Sequence, residues 1–246
     1  MQYFGFDRPS FAFNTYGFGA NPDAAILALF AGGKQGVWYD PSDKSTLFQD
    51  VAGTIPVTKD GDPIGLMKDK SGNGYHATQS VSTARPLYKT DGVLSWFDTD
   101  AIDDSLVIPM ALSSKTFTLG LGYMPVEGDA FILVNSIINS NFALVAAKDN
   151  TSTSLSVSAT INFIKTNGVL RAPVNRGELH ALLISSNAMT SSITYVSDWG
   201  DRYGYSSFSA KSLRGFKRTT AYIMVENLTD TTELDKYLAK KSGVTL

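Results

Sequence analysis

The sequence predicts an all-β protein of antiparallel strands, arranged as a sandwich or a barrel, and three features of the chain support this. From Lys115 onward apolar and polar residues alternate, as in KTFTLGLGYM, and strict alternation indicates half-buried strands. Turns rich in Gly, Asn and Ser separate these segments. No helical pattern lies between them, so we expect strands that pair directly and have one face in water. The strand candidates are 115–124, 130–138, 142–147, 154–164, 179–185, 192–197 and 219–226.

The composition excludes several classes of protein. The 246 residues carry 21 Lys and Arg against 23 Asp and Glu, a net charge of −2, so there is no strong attraction to nucleic acid or to an anionic membrane. There is no Cys, which excludes disulfides, thiolate metal sites and a Cys nucleophile. No run of about 18 apolar residues predicts a transmembrane helix, and the first residues do not resemble a signal peptide.

Residues 1–35 are predicted to form an arm and a short helix. Aromatic side chains at near-alternate positions suit an extended segment with one adhesive face. They are Phe4, Phe6, Phe11, Phe13, Tyr16 and Phe18. Two interpretations stay open here: a first strand of the domain's own sheet, or an arm that attaches to a neighbouring subunit. Asn21 and Pro22 then predict a helix start, and the apolar helix AAILALFA ends at Gly32-Gly33 and must be covered.

The stretch from Gly36 to Ser82 contains the densest turn chemistry. Asp40-Pro41-Ser42-Asp43 predicts a tight turn, because an Asp side chain can bond the backbone two residues on. Asp60-Gly61-Asp62 predicts a second turn, and the segment from Asp69 to Gly74 predicts a third in which glycines allow positive φ. At the other end of the chain, Asp230 to Glu233 is a capping-box pattern that predicts a C-terminal amphipathic helix lying on the sheets.

Catalytic patterns are weak in this sequence. The two histidines, His76 and His180, lie in a turn and in a strand, where fixing the turn and packing explain them better than catalysis. No GxSxG motif is present, and the E-x-D-x-x-E strand pattern of jelly-roll glucanases is missing. We therefore predict that the protein is not an enzyme and needs no cofactor.

Two binding sites are nevertheless predicted. The run DTDAIDD supplies hard oxygen ligands for calcium, although it lacks the glycine and closing Glu of an EF-hand; its acids are Asp98, Asp100, Asp103 and Asp104. Exposed aromatic rings are common sugar platforms, and the stretch DWGDRYGYSS combines them with polar groups that can bind hydroxyls. Its residues are Trp199, Tyr203, Tyr205, Asp201 and Arg202. Loop acids that only form turns, and aromatics that only clamp a loop, are the competing interpretations.

Two groups of motifs resemble a known family. WYDPSDKSTLFQD, followed by PIG, DKSGNGYHATQ and Arg85-Pro86, is similar to the opening of concanavalin A-like (laminin-G-like) jelly-roll domains in bacteriophage and prophage structural proteins. The ending, Leu228-Thr-Asp and the helix ELDKYLAKKSGV, resembles the closing helix of that family. The resemblance spans residues from about 28 to 246, with specific motifs only at the two ends.

The resemblance implies a two-sheet antiparallel jelly-roll sandwich over residues 36–246, preceded by the attachment segment 1–35. It implies a non-enzymatic virion protein, made in the host cytoplasm and assembled into a tail fibre, tail tip, head fibre or capsid decoration. The expected partners are other virion proteins and further copies of the chain, with no nucleic acid and no membrane insertion. The alternatives are a lectin-like module for a host surface glycan and, less favoured, a polysaccharide-degrading enzyme.

Overall fold

The computed structural model describes residues 22–100, 104–110, 112–125, 130–135, 143–146, 161–170, 180–191, 194–197 and 216–246. Two α-helices and fifteen strands lie in these ranges. The first part of the chain contains α1 (Pro22–Ala28), β1 (Gly36–Tyr39), β2 (Leu47–Phe48), β3 (Leu66–Met67), β4 (Ala77–Thr78), β5 (Leu87–Thr90), β6 (Ser95–Asp98) and β7 (Ser105–Ile108). The second part contains β8 (Leu112–Pro125), β9 (Ala130–Asn135), β10 (Ala143–Ala146), β11 (Ile161–Thr166), β12 (Val169–Leu170), β13 (His180–Ser191), β14 (Thr194–Ser197), β15 (Phe216–Glu226) and α2 (Thr232–Ser242).

The strands form two antiparallel sheets, which confirms the predicted all-β class. One sheet has eight strands in the order β12-β11-β13-β8-β15-β6-β5, with β1 also paired to β15. The other has seven strands in the order β10-β9-β14-β7-β4-β3-β2. No described helix is long and apolar enough to cross a membrane.

The main core contains buried side chains from both sheets. The alternating residues of β8 contribute Phe117, Leu119, Leu121 and Tyr123 to it, as their period of two predicts. The other sheet contributes residues such as Ile108. A second apolar cluster lies on the outer face of the eight-stranded sheet, where α1 and α2 cover β15 and β1.

The expectation of one solvent-facing side is wrong for β8. Gly120 and Gly122, on the face opposite Leu119 and Leu121, are buried. A Cβ atom on Gly120 would lie 2.8 Å from Leu238 Cδ1 of α2, and one on Gly122 would lie 2.5 Å from Ser242 Oγ. The glycines therefore let the helix approach the strand closely, and a face that looks polar in the sequence is a helix-docking face.

Helix α1 is shorter than predicted and is covered on one face. It ends at Ala28, and a short 3-10 helix, Ala31–Gly33, continues to the two glycines. Ile26 and Phe30 are buried in the outer cluster, whereas Leu27 is half exposed. One face of α1 thus packs on the sheet, so the predicted cover exists on that face only.

Helix α2 begins as the sequence predicts, with a different detail at its cap. The Asp230 carboxylate accepts a hydrogen bond from the Thr232 N–H at 2.9 Å. Glu233 does not complete a capping box, because it pairs with Lys236 one turn on at 2.8 Å. The helix ends at Gly243, whose φ of +65° is the left-handed conformation usual after a helix.

Candidate functional site

Five charged side chains and a tyrosine connect α1, the turn after β1, the loop before β4 and α2. We call this group the Asp40 cluster. Its members are Asp23, Asp40, Asp43, Lys70, Tyr237 and Lys241.

Asp40 closes the predicted tight turn with one oxygen and faces α2 with the other. Its Oδ1 accepts hydrogen bonds from the Ser42 N–H at 3.0 Å and the Ser42 Oγ–H at 2.7 Å. Its Oδ2 accepts from Lys241 Nζ at 2.7 Å and from the Tyr237 hydroxyl at 2.9 Å. The Asp40 side chain is only 2% exposed, so a buried carboxylate joins the turn to the C-terminal helix.

Lys70 connects the first helix to the same turn. Its Nζ lies 2.9 Å from an Asp23 carboxylate oxygen, 2.8 Å from Asp43 and 3.6 Å from Asp40. The ammonium group also lies 4.5 Å from the centre of the Trp38 ring, an arrangement that favours cation–π attraction. A single cation therefore holds α1, the turn and β1 together.

Trp38 and Tyr237 form the apolar wall of the cluster. Trp38 Nε1–H donates to the Tyr237 oxygen at 2.9 Å, and the two rings meet edge to face with their centres 5.8 Å apart. Because Tyr237 then donates to Asp40, three side chains form a continuous hydrogen-bonded chain. Such a fully satisfied network is worth more inside a protein than the same bonds in water.

The loop that carries Lys70 is held in place by Asp69. The Asp69 carboxylate accepts from the backbone N–H groups of Trp38, Ser71 and Tyr75 at 2.9, 2.9 and 3.1 Å, and from the Ser71 hydroxyl at 2.7 Å. His76 Nδ1 accepts from the Asp69 N–H at 3.1 Å. The predicted third turn is thus confirmed, and His76 fixes it.

Charge and burial act in opposite directions on Asp40. Burial alone would raise the pKa of this carboxyl group, but Lys241 and Ser42 outweigh burial and hold the pKa below its ordinary value of 3.8. Burial, reinforced by the Asp40 charge, raises the pKa of Tyr237 well above its ordinary value of 10.0. Asp40 is therefore a carboxylate and Tyr237 a protonated donor over the whole neutral range.

Lys70 and Asp43 shift each other in the directions expected of an ion pair. Burial opposes the Lys70 charge, but the bonds to Asp23 and Asp43 outweigh it and raise the pKa of Lys70. Burial likewise opposes the Asp43 charge, and Lys70 and Ser45 lower the pKa of Asp43 below its ordinary value. Both groups stay ionised, so the pair persists at neutral pH.

The geometry of the Asp40 cluster fits a structural role, in which it links helices to the sheets, better than a catalytic role. A general base near neutral pH needs a pKa moved towards 7 and a free lone pair, whereas Asp40 moves away from 7 and already accepts four hydrogen bonds. A lysine nucleophile needs a lowered pKa, and that of Lys70 is raised. The Asp40 cluster is a joint between α1, α2 and the sheets.

Three of the four predicted calcium ligands lie in the described part of the chain. Asp98 ends β6, Asp104 is buried just before β7, and the Asp104 Oδ2 accepts a hydrogen bond from the Asp100 N–H at 2.9 Å. Asp103 lies outside the described residues. Within the described ranges no group of three or more acidic or histidine side chains has the geometry to hold a metal ion, and calcium binding stays a prediction.

The other predicted site residues lie outside the described ranges. These are the attachment residues Phe4, Phe6, Phe11, Phe13, Tyr16 and Phe18 and the glycan residues Trp199, Asp201, Arg202, Tyr203 and Tyr205. Both assignments stay predictions.

The sequence predicts the turn and the helix that form the Asp40 cluster, but it does not predict that they are in contact. The turn motif and the terminal helix were both predicted, yet Asp40 and Lys241 are 201 residues apart. One signal could have suggested the contact: Tyr237 and Lys241 are four residues apart and share one face of a helix, and Tyr237 belongs to the apolar stripe that packs on the sheet, so Lys241 lies beside a buried face.

Comparisons with family models, with curated proteins and with solved structures find no match to this chain.

Proposed function

We propose that the protein is a non-enzymatic structural subunit of a bacteriophage virion, attached to other virion subunits through its N-terminal arm. A tail-fibre, tail-tip, head-fibre or capsid-decoration component fits this description. The proposal also takes the two sheets to be a concanavalin A-like jelly roll, since antiparallel sheets with a closing helix on the outer face are compatible with that fold.

The observation that carries the proposal is the way the first helix is fixed to the body. Ile26 and Phe30 pack into the outer apolar cluster beside Trp38 and Tyr237, and Asp23 pairs with Lys70 at the start of the helix. Helix α1 directly follows residues 1–21 in the chain. A force that acts on this segment is therefore transmitted to the domain through a helix that is fixed by apolar packing and by an ion pair.

The rest of the Asp40 cluster distributes such a force over several elements of the domain. Lys70 connects Asp23 to the turn after β1 through Asp43, and Asp40 connects that turn to α2 through Lys241. An attachment segment needs an anchorage of this kind, whereas a catalytic site needs free acids and bases. The Asp40 cluster therefore fits a structural role better than a catalytic one.

The test is incorporation of the protein into particles when the arm is deleted. Removing residues 2–20 should abolish incorporation, because the aromatic anchors are lost, while far-UV circular dichroism and thermal unfolding of the purified chain stay as in the wild type. Particles that still incorporate the deleted protein at the wild-type level would overturn the proposal.

A matched variant checks the anchorage. Asp23→Lys places two cations side by side at the start of α1, so the attachment of the helix should weaken while its apolar packing and the sheets remain. We expect weaker incorporation and faster proteolysis near residue 22, with unchanged proteolysis elsewhere. Lys236→Glu, which reverses a charge on the exposed face of α2, is the control and should behave as the wild type.

A further inference from the structure

β5 and β12, the strands at the two ends of the main strand order of the eight-stranded sheet, differ in how their edges are protected. The outer side of β5 is closed by the loop before it: Tyr88 donates its N–H to the Asp62 carbonyl and accepts at its own carbonyl from the Gly61 N–H, both at 2.8 Å. Asp60 adds charge by pairing with Lys89 at 3.2 Å and accepting the Thr90 N–H at 2.9 Å. Charged side chains and covering loops are the usual protection of a sheet edge.

The β2 edge of the seven-stranded sheet is closed in a similar way. Residues 55–57 fold back along it, with the Val57 N–H donating to the Leu47 carbonyl at 3.0 Å and a bridge between Phe48 and Pro56. Proline has no N–H to offer a further strand, so this edge ends there.

The β12 edge has the opposite character. Both of its residues expose apolar side chains, Val169 by 59% and Leu170 by 63%. Leu246 is 54% exposed and lies against the turn before β12, where a Cβ on Gly168 would be 3.0 Å from its Cδ2. Among the described residues, no backbone hydrogen bond or ion pair closes the outer side of this strand. As far as the described residues go, this two-residue edge is apolar and uncovered, and such an edge is a template for another strand.

The sequence contains one segment with the chemistry of such a strand. The arm has aromatic residues at near-alternate positions, and β-augmentation takes affinity from backbone hydrogen bonds and specificity from alternate side chains. Its 20 residues could extend over ~66 Å, far more than one edge requires.

The position of the helix that follows the arm favours a second copy of the chain as the acceptor. Asp23 lies with Asp43 and Lys70 beside β1, and β15, β8, β13 and β11 separate β1 from β12 in the sheet. That separation is ~24 Å across the strands, and α2 lies on the intervening face over β8 and β13. The arm of the same copy is long enough for this distance, but it would have to cross this helix before it could pair along the edge, whereas the edge of a second copy can be approached directly.

We propose that the aromatic arm of one copy adds as a strand to the β12 edge of a second copy, with Val169, Leu170 and Leu246 receiving its side chains. This rests on the proposed role of the arm in attachment and names its partner and acceptor surface. Because donor and acceptor are different surfaces, the contact is heterologous and builds a closed ring or an open chain.

Complementation between two defective full-length variants tests the proposal. In the first variant, the six aromatic residues of the arm are replaced by Ser, which removes the donor. In the second, Leu170→Lys adds charge to the acceptor edge. Each alone should run at the monomer mass in light scattering after size exclusion, whereas the wild type forms a larger species. Mixing the two should restore a 1:1 complex, because one supplies the edge and the other the arm.

Val93→Lys is the matched control, because Val93 is 90% exposed on the turn between β5 and β6 and lies away from the β12 edge. It should associate as the wild type does, and circular dichroism should show all three variants folded. Val169→Lys should repeat the result of Leu170→Lys. A monomeric wild type, no complex on mixing, or a Leu170→Lys variant that still self-associates would each overturn the proposal.

The particle assay separates this inference from the proposed function. If deletion of residues 2–20 abolishes incorporation but Leu170→Lys is incorporated normally and the mixed variants do not combine, the arm attaches to a different partner and only the β12 inference fails. If deletion of the arm leaves incorporation intact, the attachment role itself fails.

Discussion

The two ends of α2 are held by similar ion pairs in different surroundings. Lys241 meets Asp40 at 2.7 Å near the C-terminus of the helix, and Asp235 meets Lys165 at 2.8 Å near the N-terminus. The acid of the first pair is 2% exposed and that of the second 12%. The distances are almost equal, so burial and the number of other donors decide how much each pair contributes to stability.

The surroundings also differ in what each acid connects. Asp40 joins α2 to the turn after β1 and, through Lys70, to α1. Asp235 receives Lys165 from β11 and the Thr231 hydroxyl, a local contact at 3.0 Å. Loss of the first acid should loosen both helices, whereas loss of the second should loosen one turn of one helix.

The largest effect is expected from Asp40→Ala. It leaves the donors Lys241 and Tyr237 without their buried acceptor, and breaking one side of a buried pair costs about 3 kcal/mol when the other side can partly reach water. Urea unfolding followed by circular dichroism measures the change in the free energy of unfolding. Asp40→Asn, which keeps an acceptor oxygen but no charge, should lose less; a loss below about 1 kcal/mol for Asp40→Ala would contradict the central role of this residue.

The second expected effect is loss of stability in acid. A carboxylate whose pKa is lower in the folded than in the unfolded state stabilises the fold above the unfolded value, and this stability is lost as the pH falls through the folded value. Asp40 and Asp43 both have lowered pKa values, so their contribution should disappear below about pH 4. Tyr237 acts in the opposite direction: its raised pKa contributes stability that is lost only above its ordinary value of 10.0.

Melting temperatures between pH 2 and pH 8 check this. Asp40→Asn should flatten the acid side of the profile, because asparagine binds no proton in this range while the other aspartates are the same in both proteins. Equal slopes for the variant and the wild type would show that Asp40 does not titrate in this range.

A smaller effect is expected at the other end of the helix. Lys165→Met removes the partner of Asp235 but leaves the Thr231 bond and access to water, so the free energy of unfolding should fall by about 1 kcal/mol. The measurement is the same urea titration, and limited proteolysis should show cleavage near Thr231 with α1 unaffected. A loss as large as that of Asp40→Ala would remove the distinction between the two ends.

The smallest effect is expected from Lys236→Ala. Its partner Glu233 lies one turn away on the exposed face of α2, and such pairs contribute below about 0.5 kcal/mol. The change should be further reduced in 0.5 M salt, because screening weakens exposed charges more than buried ones. A salt-independent loss above about 1 kcal/mol would mean that the exposed face of α2 contributes more than its geometry indicates.

The sequence alone determined the local elements of this protein. The alternation in 115–124 predicts β8, the Asp, Pro and Gly motifs predict the turns, and the stripe after Asp230 predicts α2. These signals act over a few residues, because φ/ψ preference, side-chain period and capping are properties of neighbouring positions. They therefore predicted the all-β class and the positions of seven of the fifteen described strands, β8 to β11 and β13 to β15, without any knowledge of the fold.

Only the tertiary structure decided which elements meet. Gly120 and Gly122 look like the polar face of a strand, and they prove to be the surface on which α2 packs. Asp40 looks like a turn former, and it is also the buried partner of Lys241 at the far end of the chain. The physical reason is that close packing and buried charge pairing depend on strand order and helix placement, which bring together residues that no local pattern connects.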